Sequence, residues 1–353
     1  MVKQLKYRLC IFLGILFLCF SGCKKWLPED LAYLSPEAVF TQTEFHPVLG
    51  RTTEYSRVFN TDNSNTPIHF EITNVRYKST GEPTDDLEKV VPVWVWKKAY
   101  TGYEKSLEEI NDKREKEEHP LWEIRKTSGD FILWASADST MMRQQPDSGY
   151  YFDVIASNSG GEKTYEDLIL DPFRARPYEP YEYDEITGER NKKYPNPADS
   201  SVFRLEYVHP RLHNIVGDST DLPMESDSVR TYFHRKGDGH KLTFKFLNKD
   251  SLPINPSMFN LTVWDSVVHG FNKVLTDTDV TYDVAYPIPL VKYPTRFTNS
   301  NGSEASVQFS FNRIGFGNRR QTCSLTFNFA IYKPGDWEII FHFYDDNPKF
   351  RNE

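Results

Sequence analysis

Four cysteines in 353 residues cannot staple a fold of this size, and two of them, Cys10 and Cys19, sit in a leading segment that reads as removable. The processed chain would keep only Cys23 and Cys323, so a disulfide scaffold is excluded. Also missing are a G-x-S-x-G elbow, an H-E-x-x-H pair, a P-loop and a C-x-x-C. Those absences argue against nucleotide and classical zinc chemistry. Basic charge is in deficit too, with 42 Lys and Arg against 50 Asp and Glu, a net −8. An acidic surface disfavours nucleic acid and polyanionic partners.

The one long apolar run, Leu9 to Phe20, falls short of the roughly 20 residues a spanning helix needs. Lys3, Lys6 and Arg8 precede it, and Ser21, Gly22 and Cys23 follow it. This is the layout of a secretory signal over residues 1–22. Phe20-Ser21-Gly22-Cys23 resembles the bacterial lipobox, with Phe where Leu is usual, which implies cleavage before Cys23 and acylation of its thiol. Removing the three basic and no acidic residues of 1–22 takes the net charge from −8 to −11. Several acyl chains at about 0.8 kcal/mol per buried CH₂ give durable anchoring. Lys24 is not the Asp that retains many lipoproteins at the inner membrane. The expectation is therefore an outer-membrane lipoprotein, with its cell-surface or periplasmic orientation open.

Aromatics are plentiful, 15% of the chain, and they fall at strand spacing. Leu242, Phe244 and Phe246 alternate with Lys241, Thr243 and Lys245, and the period recurs at Phe259 to Trp264 and Val307 to Asn312. Leu325, Phe327, Phe329 and Ile331 form one apolar row. After Pro334-Gly335 a second row follows, Trp337, Ile339, Phe341 and Phe343, and the pair reads as a β-hairpin. Cys323 shares the parity of Leu325, which makes it a core thiol. Shorter strands are expected at Pro67 to Arg76, Phe131 to Ala135, Tyr151 to Ile155 and Asp167 to Leu170. Tyr100, Tyr103, Leu107 and Ile110 have helical spacing, with Glu109 and Lys113 as an i,i+4 pair and Pro120 beyond the end.

The fold class expected is all-β, mainly two immunoglobulin-like β-sandwich domains with one short helix in the first. The boundaries are a lipidated tether over 23–48, an N-terminal sandwich over 49–171, a Pro/Tyr-rich linker over 172–200 and a C-terminal sandwich over 201–353.

Candidate sites are aromatic rather than catalytic. Trp94 and Trp96 in VPVWVWKK lie on one face of a probable strand and Val93 and Val95 on the other. The favoured reading buries both indoles; the alternative puts the valines inside and leaves a flat indole platform that would stack on sugar rings. Tyr178, Tyr181 and Tyr183 in RPYEPYEYD either pack between the domains, which is favoured, or present a ligand surface. His209 and His213 have metal-pair spacing broken by Pro210, and Asp277, Asp279 and Asp283 lack the glycine and glutamate of an EF-hand. No metal, cofactor or catalytic residue is assigned. Ser139, Ser219, Ser228, Ser251 and Ser266, each after Asp and before Thr, Val or Leu, resemble the O-glycosylation acceptor motif that Bacteroides-type bacteria use on exported proteins.

The segments LGRTTEYSRVFNTDNSNTPIHFEITNVR, YTGYEKSLEEINDKREKEEHPLWEIR and SNSGGEKTYEDLILDPFRARPYEPYEYD resemble an uncharacterised lipoprotein family of Bacteroides-type bacteria. That resemblance implies an accessory lipoprotein of SusC/SusD-like glycan-uptake systems, where β-sandwich modules capture glycans, and carries no catalytic residues with it; the acidic charge balance then makes neutral polysaccharide the expected ligand. The alternatives are a structural or adhesion lipoprotein that docks other envelope proteins and, more weakly, a glycoside hydrolase using paired carboxylates.

Overall fold

The structure, a computed structural model, describes residues 32–193 and 201–352. Cys23, the signal segment, residues 23–31 of the tether, and Pro195 and Pro197 of the linker lie outside the described residues. Within them the chain is mostly strand, arranged in several sheets and consistent with an all-β sandwich fold.

The second lobe packs two sheets face to face. One has five strands in the order Val229–Gly237, Asp336–Phe343, Lys241–Leu247, Asp279–Val284 and Gly270–Leu275, with a parallel pairing between the second and third. The other is built on Arg319–Ile331, which pairs with Ala305–Gly315 on one side and with Arg211–His213 and Tyr178–Glu179 on the other. Alternation makes each strand apolar on one face, and the two apolar faces meet. Phe309 stands 4.9 Å from Phe246 and 5.6 Å from Phe341 across the gap. Fully burying a side chain such as Phe309 is worth about 1.5–3 kcal/mol in transfer alone.

The hairpin expected around Pro334-Gly335 does not form. Arg319–Ile331 and Asp336–Phe343 belong to opposite sheets, and Phe327 meets Phe341 edge-on at 5.5 Å. A hairpin would set both apolar rows on one face of one sheet, where a further layer would have to cover them. Crossing the core lets each row cover the other. Phe259 to Trp264 is likewise not a strand but turns entering a short 3₁₀ helix. Phe259 alone of its row is buried, 4.4 Å from Phe246, while Leu261 and Val263 are exposed. Cys323 is a free buried thiol whose Sγ donates to the Asn214 carbonyl at 3.1 Å, and burial raises its pKa.

The first lobe is less regular. A four-stranded sheet, Glu44–Phe45, Gly161–Leu170, Tyr150–Asn158 and His69–Tyr77, faces a three-stranded one of Thr53–Tyr55, Phe131–Leu133 and Trp122–Ile124. Trp122 stacks on Phe131 at 5.2 Å, and Phe152 closes on both from the opposite sheet. Phe40 and Phe45 belong to this core, so the end of the segment read as tether is part of the first sandwich. The start of the segment read as linker is stitched to both lobes. Asp171 and Phe173 donate to the Phe45 and Pro47 carbonyls, and Tyr178–Glu179 pairs with Ala330–Ile331 of the second lobe.

The helix spans only Leu107–Asn111, capped by Ser106, whose Oγ accepts from Glu109 N–H at 3.2 Å. Residues 114–119, expected to continue it up to Pro120, instead belong to the strand Arg114–Pro120, paired with Val90–Trp96. Lys113 turns away from Glu109 to reach the Glu104 carboxylate and the Ala99 carbonyl. Tertiary partners outweigh the helical spacing here.

Candidate functional site

The ladder of Val90–Trp96 with Arg114–Pro120 decides which face of VPVWVW is inside. Val91 and Val93 are buried in the first core with Val95 packed against it, and Trp94 is 44% exposed with Trp96 half-buried. The favoured expectation of two core tryptophans is therefore corrected. Alternation assigns a face to each residue, and the β-branched side chains take the face that joins the core containing Leu121 and Trp122. Arg114 and Lys116, opposite Trp96 and Trp94 in the register, fold back over the indoles. The Arg114 guanidinium lies 4.6 Å from the Trp94 ring centre and 5.8 Å from that of Trp96, and Lys116 Nζ lies 5.3 Å from Trp94. Arg114 also donates to Asn111 Oδ1 and, across the lobe junction, to the Tyr286 carbonyl at 3.0 Å. The indoles are thus a braced ledge.

The ledge runs into a groove of about 940 Å³ between the lobes. Trp96 and the stretch Lys98–Tyr103 form the first-lobe wall, and Val291 with Tyr293–Arg296 form the second. Two tyrosines open onto it, Tyr103 at 73% exposure and Tyr293 at 60%. Such aromatic faces suit ligands with flat apolar patches and polar rims.

Glu104 organises the first wall. Its carboxylate accepts from the Thr101 N–H and hydroxyl and from the Gly102 N–H, all at 2.9 Å, and from Lys113 Nζ. Burial opposes ionisation, but these donors win and hold its pKa at about 2. The turn it pins needs glycine: Gly102 has φ +78°, and an added Cβ would stand 3.1 Å from Thr295 of the other lobe.

His269 of the second lobe locks the two walls together. Its Nε2 bonds the Glu104 carbonyl at 2.8 Å, which makes that nitrogen the donor, so Nδ1 accepts from the Tyr100 hydroxyl. The ring stacks on Phe297 at 4.9 Å. Burial lowers the His269 pKa and raises that of Tyr100. Both shifts favour the neutral forms, so Tyr100, His269 and the Glu104 carbonyl clasp the two lobes as a neutral hydrogen-bonded chain.

The other candidates lie elsewhere. Tyr178 is buried in the second core, stacked on Phe233 at 4.2 Å with its hydroxyl donating to Glu182. It therefore leaves the ligand set. Tyr181 packs against that core, and Tyr183 follows it outward at 5.0 Å. Neither tyrosine lines the groove. Ser139, Ser219, Ser251 and Ser266 are exposed, but Ser228 is 8% exposed at the start of a core strand, so the protein folded this way hides that acceptor. His209 bonds the Val229 carbonyl and His213 meets Asn214. Asp277, Asp279 and Asp283 pair with Asn255, threonines, Asn272 and Lys241. No group of three or more His, Cys, Asp or Glu is placed to hold a metal among the described residues.

Tyr103, Tyr293 and Arg296 were not singled out in the sequence as site residues. Tyr103 fell at a helical position that implied burial, and Tyr293 sits in YPTRF, a turn with no periodicity to mark it.

Fold and groove together define an all-β protein of two lobes with an aromatic recess at their junction. The chain belongs to the DUF5007 family, a domain of unknown function, whose profile matches residues 59–352 and so takes in the junction and both of its walls. No curated protein and no solved structure matches the chain.

Proposed function

We propose that this protein is a non-catalytic, lipid-anchored envelope protein that binds glycan at the aromatic groove and supports a SusC/SusD-like uptake complex at the outer membrane of a Bacteroides-type bacterium. The observation that carries the binding half is that Trp96, Tyr103 and Tyr293 line one groove, with Trp94 exposed on the same strand face as Trp96 under Arg114 and with the turn before Tyr103 pinned by Glu104. Sugars present C–H faces to aromatic rings and hydroxyls to the polar rim, and a preset site loses little entropy on binding. The signal-like N-terminus and Cys23 support the anchor.

Affinity electrophoresis of the full chain through gels containing neutral or acidic polysaccharides tests the binding half. Retardation by at least one glycan is expected, with Trp96→Ala weakening it about tenfold, within the 1–3 kcal/mol that a stacked ring contributes at comparable aromatic sites. Free migration through every gel rejects glycan binding. Purification from solubilised membranes tests the complex: a co-purifying SusC-like barrel is expected, and its absence removes that half.

A further inference from the structure

Two cations in the groove lack acidic partners. Lys98 lines the first-lobe wall and Arg296 the second, both are exposed, and neither makes an ion pair among the described residues. Their neighbours are paired: Lys97 with Glu117 and Lys113 with Glu104. The groove lining contains no aspartate or glutamate, although the chain has 50 acidic residues and a net charge of −8. Arg296 is also oriented. Its guanidinium lies 4.6 Å from the Phe297 ring centre and 5.7 Å from that of Tyr103. No hydrogen bond or ion pair among the described residues uses its N–H donors, a fork that matches a carboxylate.

We infer that the groove selects glycans carrying carboxylates, uronate-containing chains, with Arg296 and Lys98 as the charge-reading residues and the aromatic rings as the sugar platform. This rests on the glycan reading above and narrows its ligand class: acidity of the whole surface disfavours polyanions at long range, but two cations on the walls of a groove whose lining holds no acid reverse that preference at contact. A carboxylate spaced along a chain, rather than a dense polyanion, satisfies both conditions.

The test compares uronate oligosaccharides of several linkages with their carboxyl-reduced neutral counterparts by calorimetry on the full chain at low salt. The carboxylate form is expected to bind about tenfold tighter, as one charge-assisted hydrogen-bonded contact allows, and Lys98→Gln with Arg296→Gln should abolish that preference, so that the acidic and carboxyl-reduced oligomers bind the double variant equally. Both side chains are exposed, so the variants keep the fold, which circular dichroism verifies. Sulfated oligomers form the third arm: a stronger response to sulfate than to carboxylate overturns the uronate assignment. Equal affinity for acidic and reduced forms, or a preference that survives the double variant, overturns the inference and leaves glycan binding standing. Absence of binding by every oligomer, neutral ones included, removes both.

Discussion

The two lobes solve the same packing problem with different material. In the second, strands of 11 and 13 residues, Ala305–Gly315 and Arg319–Ile331, carry long apolar rows, Ala305, Val307, Phe309 and Phe311 on one and Cys323, Leu325, Phe327, Phe329 and Ile331 on the other. In the first, strands of two or three residues are common, and the Val90–Trp96 ladder is opened by an excursion from 97 to 113 before its partner returns. That excursion supplies one wall of the groove. Regular strands bury the area that stabilises a lobe, and interruptions give side chains that do not have to be inside. The second lobe contributes the opposite wall in the same way, through the loop around Tyr293 rather than through its sheets.

Whether the lobes are energetically one body is the largest question this comparison raises. The junction holds Arg51 to Glu179 at 2.9 Å and over the Tyr332 ring, His269 to Tyr100 and Glu104, and Arg114 to Tyr286. A single urea transition is therefore expected. Phe309→Ala and Phe152→Ala should each lower stability by about 3–5 kcal/mol through lost burial and the cavity left, both acting on that one transition. Two transitions, each sensitive to only one variant, would break the comparison into independent domains.

The first wall is predicted to be the acid-sensitive part. The Glu104 carboxyl titrates near 2 in the fold against an ordinary 4.5, so the folded state gains from it above about pH 4.5. That gain disappears as pH falls from there toward 2. The contribution is at most on the order of 3 kcal/mol at 1.36 kcal/mol per pKa unit. Glu104→Gln should flatten this section of the stability–pH curve relative to wild type; an unchanged slope would show that the carboxylate does not organise the turn.

Two glycines separate local strain from lobe docking. Gly102 and Gly81 have φ of +78° and +75°, but only Gly102 has the other lobe against the position of a Cβ. Gly81→Ala should cost the strain alone, about 1–3 kcal/mol. Gly102→Ala should cost more and also weaken groove binding. Equal losses at both would mean that the lobes do not bear on each other at Thr295.

Much of the second lobe was legible because period-two alternation states directly which residues share a face, as Cys323 with Leu325 and Phe327 shows. Alternation does not name the partner strand. Ser324 to Phe343 therefore passed for a hairpin, although its two halves cover each other from opposite sheets. In the first lobe helical spacing at Tyr100, Tyr103 and Leu107 was real as a pattern but was overruled by the turn that Glu104 pins through Thr101, Gly102 and Lys113 and by His269, which arrives from the other lobe. The groove was illegible for the same reason. Half of it, Tyr293 and Arg296, is loop with no period to read, and the Tyr103 ring near Arg296 comes from the other lobe.

The smallest expected effect bears on the strand where alternation left two answers open. Val93 and Trp94 are adjacent, one buried and one 44% exposed. Val93→Ala removes two buried methyl groups and should destabilise by about 1–2 kcal/mol, whereas Trp94→Ala should change stability by no more than about 0.5 kcal/mol. For ligand binding the order reverses: Trp94→Ala weakens it and Val93→Ala leaves it intact. A large stability loss at Trp94 would mean that Arg114 and Lys116 rely on the indole as their packing partner, and the ledge would then be a brace for the lobe junction rather than a surface kept for a sugar.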